Sequence, residues 1–165
     1  LTEYDFTGVR ILEPSLLSDI PLEEGCIIDD VLGPMLESGA EINTTVHEGF
    51  WAALDNPGLL METSRRLLEE PELFEQAPFE EGEEGEGVFL ADPGAVGEEV
   101  ELVGPVFCGP NVAFEPGTRV GPNAVVDGVE LASGNAIENA VVYGVGESDA
   151  SFENCVAVAD RRAET

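Results

Sequence analysis

The sequence predicts an α/β segment followed by an all-β solenoid, and three observations support this division. Residues 1–69 alternate between strand-like and helix-like apolar patterns, whereas residues 70–87 are rich in Glu, Gly and Pro and are typical of a linker. Residues 88–160 place apolar residues at a fixed interval, with Gly, Pro and Asn between them. The remaining residues, 161–165, are predicted to form a short tail.

Two stretches of the first segment are predicted to be β-strands. The sequence FTGVRILE at Phe6–Glu13 alternates and stops at Pro14, and EINTTVH at Glu41–His47 is a second strand-like run. Two or three strands beside three helices would leave one edge of the sheet unpaired. Since the chain also begins at Leu1 and not at a methionine, we expect it to be a fragment or a processed product.

Three helices are predicted in the same segment. A short helix begins at Pro14. An amphipathic helix over residues 27–36 is expected to break near Gly33, because Pro34 interrupts its apolar stripe. The third helix starts at Asn56–Pro57, where Asn accepts a hydrogen bond from a free N–H group and Pro loses none.

The second half carries a six-residue period. Seven apolar residues follow one another at this spacing: Leu90, Val96, Leu102, Cys108, Phe114, Val120 and Val126. A second series lies four residues after members of the first: Val100, Val106, Val112, Thr118 and Ala124. A hexapeptide period means one short strand and one corner per repeat, stacked into a β-solenoid, here of about four coils. The first series restarts one residue early at Leu131 and Ile137.

The charge balance restricts the partners. There are 35 Asp and Glu residues against 6 Arg residues and no Lys, for a net charge of −29. Such a surface repels nucleic acid and anionic membranes, and no apolar run is long enough to cross a bilayer. Self-repulsion on this scale requires screening, so the composition favours adaptation to high salt over an acidic interaction tail.

The three cysteines, Cys26, Cys108 and Cys155, are far apart in the sequence and odd in number. This spacing argues against a zinc site or a disulfide framework. We interpret all three as small core residues in a reducing compartment, and we expect a cytoplasmic location.

The repeat half resembles the left-handed parallel β-helix of the hexapeptide-repeat family, in its six-spaced series and in corner motifs such as GP, PG and GPN. Two large groups carry this solenoid. In acyltransferases it is the catalytic body, usually with a His on a coil as general base, and in sugar nucleotidyltransferases it follows an α/β catalytic domain. The sole His of this chain, His47, lies outside the repeats, which disfavours the acyltransferase interpretation.

The first half is similar to the end of the catalytic domain of sugar-phosphate nucleotidyltransferases, such as mannose-1-phosphate guanylyltransferase and glucose-1-phosphate thymidylyl- or uridylyltransferase. The similarity is an order of motifs: a Gly-containing strand with an L-x-P helix, an amphipathic helix, a strand, G-F-W and a Pro-started helix. It implies the end of a Rossmann-like domain. It also implies transfer of a nucleotidyl group from an NTP to a sugar-1-phosphate, with Mg²⁺ held by Asp in the full-length enzyme.

The stretch HEGFWAALDNPG, residues 47–58, contains the candidate metal position that this resemblance implies. In the family pattern W-x-D-x-G, Trp51 aligns, but the Asp position is Ala53, and Asp55 lies two residues later. A methyl group cannot ligate Mg²⁺. Asp55 is therefore a candidate for a substitute ligand, against the alternative of a loop carboxylate near a helix start. The resemblance also places a sugar-contacting glycine at Gly8, against the alternative of a glycine required for close packing.

No catalytic residue is assigned. We interpret His47 as a hydrogen-bonded structural residue and Trp51 as core packing. The chain lacks the family's Gly-rich phosphate loop, so we expect neither a cofactor nor turnover from it alone. The resemblance implies that the full-length protein binds sugar-1-phosphate and NTP, and that it forms a homo-oligomer through the β-helix. The alternative is a non-catalytic regulatory or scaffold subunit of the same family.

Overall fold

The computed structural model describes residues 4–18, 20, 25–73, 80–81, 87–159 and 161–164, so most of the predicted linker lies outside the described residues. The chain divides into two compact units, Leu1–Trp51 and Ala52–Thr165. The sequence predicts the end of the first segment at residue 69. The division falls earlier because the helix at residues 57–69 packs on the solenoid.

The helices of the first unit are short. A 3₁₀ helix spans Pro14–Ser18, a π-helix spans Ile27–Leu32, and helix α1 follows directly over Gly33–Glu37. The backbone stays right-handed helical through Leu32 and Gly33, so the helix changes type there and does not end. The predicted break is therefore not seen, and a kink at this point stays a prediction. Pro34, which has no N–H to donate to the preceding turn, accounts for the change of type.

The described residues of the first unit contain no β-strand, so the strand predictions for Phe6–Glu13 and Glu41–His47 are wrong for this chain. Alternation determines which face of a strand is apolar, but a strand forms only where a neighbour pairs with its N–H and C=O groups. Without such a neighbour, Ile11 is 100% exposed and Val46 is about half exposed. Val31 is the one buried hydrophobic side chain described in this unit. The described residues of this unit therefore do not show the predicted α/β layer.

The second unit is a β-solenoid of about four coils. Its described strands are β1 (Glu80–Glu81), β2 (Val88–Leu90), β3 (Glu101–Leu102), β4 (Val106–Cys108), β5 (Val112–Phe114), β6 (Arg119–Val120), β7 (Ala124–Leu131), β8 (Ala136–Ser148), β9 (Phe152–Val158) and β10 (Arg161–Glu164). Strands of successive coils pair in parallel. The fold is the β-solenoid that the hexapeptide period predicts, and it is the left-handed β-helix that the resemblance to the hexapeptide-repeat family implies.

Equivalent positions stack in register from coil to coil. One column consists of Val88, Val106, Ala124, Ala140 and Cys155. Its members are 18 residues apart for two steps, as three hexapeptides per coil require, and then 16 and 15 apart. The spacing falls from 18 to 17 residues between the pairs Cys108↔Val126 and Val112↔Val129, and from 17 to 16 between Val120↔Ile137 and Ala124↔Ala140. The first of these losses lies just after Val126, where the sequence predicts the slip.

The core lies inside the coils. Most of the six-spaced series is buried, and Val96 and Leu102 are partly buried against it. The second series is buried from Val106 to Ala124. Thr118 is 1% exposed, and its Oγ1 has no hydrogen-bond partner among the described residues. The predicted inward positions are therefore confirmed, with one polar group among them.

Helix α2 (Pro57–Glu69) begins where the sequence predicts. The Asn56 side chain accepts a hydrogen bond at 3.0 Å from the backbone N–H three residues later. On the outside of the coils, Met61 packs against Val141 and Val156 in an apolar cluster separate from the core. Helix α2 thus packs on the β-helix, which explains why the boundary between the two units lies before this helix.

Both ends of one face of the β-helix carry an antiparallel strand. At one end β1 pairs with β2, and at the other β10 pairs with β9. Residues 161–164, which the sequence places in a short tail, form strand β10. The reason is that the open edge of the last coil offers unpaired N–H and C=O groups to any segment that follows it.

Candidate functional site

The residues that drew attention in HEGFWAALDNPG have local roles. His47 is exposed, and its Nε2 lies 3.4 Å from the Phe50 carbonyl oxygen, in keeping with a hydrogen-bonded structural residue. Trp51 is 42% exposed, so its prediction as a core residue is wrong. The first unit has almost no buried apolar surface that the indole could join.

A methyl group stands where the resemblance implies a metal ligand. Ala53 is partly buried, and Asp55, two residues on, is exposed. The described residues contain no group of three or more His, Cys, Asp or Glu side chains that could hold a metal ion. A lone carboxylate holds Mg²⁺ only together with substrate phosphates and water. Ligation of Mg²⁺ by Asp55 stays a prediction.

Gly8 has a conformational reason to be glycine. Its φ is +83°, a left-handed angle that favours glycine, and a Cβ built on it would meet no atom within 4 Å. Close packing, the alternative interpretation of this residue, is thus not the reason for it. Contact with a sugar stays a prediction.

The β-helix carries an acidic concavity of about 720 Å³ on the face formed by β5, β7 and β8. Its lining residues are Ala113, Phe114, Glu115, Glu130, Leu131, Ala132, Glu147, Ser148 and Asp149. Glu130 and Glu147 lie side by side on neighbouring strands. Four of these nine residues carry a carboxylate and none is basic. Because like charges repel, this surface disfavours phosphate-bearing ligands such as coenzyme A.

Arg119 is the single basic residue of the repeats, residues 88–160. Its Nε lies 3.5 Å from Glu101 Oε2, and its Nη1 lies 3.2 Å from Glu138 Oε2. The three residues belong to successive coils, so the guanidinium bridges them. The sequence shows a lone arginine but not these partners, which only the stacking of coils brings together.

Two of the three thiols are buried, as predicted. Burial raises the pKa of the Cys108 thiol to about 12, so this thiol stays protonated and is a poor nucleophile. Cys155 is also buried, whereas Cys26 is exposed, which contradicts its prediction as a core residue. Cys26 lies in the first unit, where few side chains are covered. All three cysteines are free.

Comparison with protein-family models finds no match for this chain, and comparison with curated proteins finds none either. No helix within the described ranges has the length and apolar character needed to cross a membrane. The basis for a functional assignment is therefore the β-helix itself and the chemistry of the residues on it.

Proposed function

We propose that this chain is the C-terminal part of a sugar nucleotidyltransferase-like protein, in which the β-helix serves assembly or regulation. The observation that carries the proposal is a hexapeptide β-helix preceded by the motif order of such enzymes. A non-catalytic role for the β-helix is supported by its chemistry. Residues 88–160 hold no His, and Arg119 is held between two carboxylates.

The proposed reaction is attack of a sugar-1-phosphate oxygen on the α-phosphorus of an NTP, with pyrophosphate as leaving group. Such a reaction requires in-line positioning and charge neutralisation more than a nucleophilic side chain. Mg²⁺ would supply part of that neutralisation in the full-length protein. With no Lys and a net charge of −29, residues 1–165 supply little of it. We therefore expect the phosphate-binding groups in another part of the protein.

The test is pyrophosphate release by the full gene product, from each NTP with mannose-1-phosphate or glucose-1-phosphate. The assay contains Mg²⁺ and several-molar KCl. Release with one pair of substrates supports the enzymatic role, and no release with any pair contradicts it. Residues 1–165 alone are the control, and turnover by them would contradict the expectation that the phosphate-binding groups lie elsewhere.

The alternative is a non-catalytic regulatory or scaffold subunit, and Ala53 at the family's metal position favours it. Variants of an active full-length protein separate the two roles. If Asp55 replaces the missing ligand, Asp55→Asn lowers kcat at least tenfold, whereas Glu48→Gln leaves it unchanged. Both side chains are exposed in this chain, which makes Glu48 a matched control. If Asp55→Asn has no effect, Asp55 is not a ligand.

Two further properties belong to the proposal. The acidic surface suits a protein of a salt-rich cytoplasm, because dissolved ions screen the repulsion between its carboxylates. The β-helix is proposed to mediate homo-oligomer formation, which light scattering of the full-length protein measures.

The acyltransferase role is the less favoured third candidate, since the acidic concavity and the lack of a His on the coils both oppose it.

A further inference from the structure

The last described strand folds back on the β-helix and covers the edge of the final coil. β10 pairs antiparallel with β9, with Arg161 opposite Val158 and Glu164 opposite Cys155. On its other side β9 pairs in parallel with β8. Residues Cys155–Val158 of β9, the strand that ends the parallel stack on this face, are therefore paired along both edges.

Without β10, β9 would present an edge that favours pairing with another chain. Its last four residues, Cys155–Val158, are uncharged, and two of them are β-branched valines. Val158 is 44% exposed and lies beside Tyr143, which is 59% exposed. An uncharged edge of high β-propensity is a template for strand addition. By contrast, three of the four residues of β10, RRAE, are charged, and charged residues protect sheet edges in natural proteins.

The geometry selects one occupant for that edge. At the opposite end of the stack, β1 already pairs with β2, at Phe89 and Leu90, so head-to-tail addition of another molecule meets a covered edge. Once β10 is removed, the edge of β9 is open, and the same edge of a second copy can pair with it. Antiparallel pairing of two identical strands is two-fold symmetric and closes as a dimer. It is also the orientation in which β10 pairs with β9.

We infer that β10 is an autoinhibitory cap, which occupies the edge through which the β9 strands of two copies of this chain otherwise pair. In the capped chain Cys155–Val158 find strand partners on both sides within one molecule. When the cap is removed, a second copy supplies them. This inference rests on the pairing of β9 and β10, and it is independent of the proposed enzymatic function.

The first test is the molar mass of a chain that ends at Ala159, compared with the full chain by sedimentation velocity and light scattering. Both are measured in about 1 M KCl, where the Debye length is ~3 Å and charge repulsion between copies is screened. We expect the mass of the shortened chain to be twice that of the full chain over a range of micromolar concentrations. An unchanged mass would overturn the inference, and so would open-ended aggregation.

Three further variants guard against misfolding as the explanation. In the shortened chain, Val158→Glu places a charge on the exposed edge and should return the mass to that of the full chain. In the full chain, Ala163→Pro removes a backbone donor opposite Val156 and should double the mass, whereas Ala163→Ser keeps the donor and should not. If the shortened chain and Ala163→Pro both lose the β-sheet circular dichroism signal, then β10 is required for folding. That result would also overturn the inference.

Discussion

Replacing Gly121 with alanine should destabilise the β-helix more than the same substitution at Gly134. Both glycines have positive φ, +94° and +76°. A Cβ built on Gly121 would overlap the backbone carbonyl oxygen of Val103, whereas a Cβ on Gly134 would meet no atom within 4 Å. Comparing the two variants therefore separates the loss of stability caused by a steric overlap from the loss caused by a left-handed backbone angle.

The expected difference follows from these two environments. A left-handed backbone angle costs an L-residue roughly 1–2 kcal/mol, and replacing Gly by Ala returns ~0.4–1 kcal/mol through the unfolded chain. At Gly134 the net loss is therefore about 1 kcal/mol. Glu99, at φ +65°, occupies the equivalent corner two coils earlier, so that corner accepts a side chain. At Gly121 the backbone of Val103 must also move, and overpacking of this kind adds roughly 1–3 kcal/mol.

The assay is equilibrium unfolding in urea at a constant high KCl concentration. Urea is uncharged, so it leaves the screening of the carboxylates unchanged through the titration. The midpoint should fall for both variants, and the free energy of unfolding of Gly121→Ala should be lower than that of Gly134→Ala by about 1–3 kcal/mol. An unchanged slope would show that the denatured state is the same. Equal losses at the two sites would refute the steric argument.

Four other predictions rest on single features. Thr118→Val should raise the free energy of unfolding by about 1 kcal/mol, because it removes a buried hydroxyl with no described partner at nearly constant volume; a lower urea midpoint would contradict this. Ala159→Gly should stabilise the protein by roughly 0.5–1 kcal/mol, since Ala159 has φ +47° where the two preceding coils place glycines. No gain in the free energy of unfolding would show that alanine adopts this φ at little cost. A thiol reagent at pH 8 should label Cys26 rapidly and the buried Cys108 and Cys155 only on unfolding, and three rapid thiols would contradict their burial. Lowering KCl from molar to millimolar concentration should lower the melting temperature, because carboxylate repulsion becomes unscreened, and an unchanged melting temperature would refute the high-salt interpretation.

The repetitive half of the molecule is readily predicted from the sequence. A residue that recurs every six positions requires the same environment in every turn, so the period alone leads to the coil, its inward series and the one-residue slip after Val126. The cap of helix α2 is equally local, since Asn56 needs only the N–H three residues ahead. These features depend on neighbours within one repeat or one helical turn.

The candidate site is a different case. The sequence identifies Ala53 and Asp55 by their place in a motif, and the structure describes their exposure but tests neither assignment. The partners of Arg119 were not predicted, because Glu101 and Glu138 are 18 and 19 residues away along the chain. Interactions across coils depend on the number of residues in each corner, which changes where the series slips.

Sequence alone was sufficient for the β-helix, its approximate number of coils and its buried faces, because each repeat encodes its own strand and corner. Tertiary structure decided every feature that requires a partner distant in the chain. The alternating runs at Phe6–Glu13 and Glu41–His47 do not form strands, because no strand in the described part of the chain takes their hydrogen bonds. Arg161–Glu164 become a strand although their sequence resembles a tail, because β9 offers an open edge. An alternating sequence pattern predicts which face of a strand is apolar, but hydrogen bonding to a neighbouring strand decides whether the strand forms.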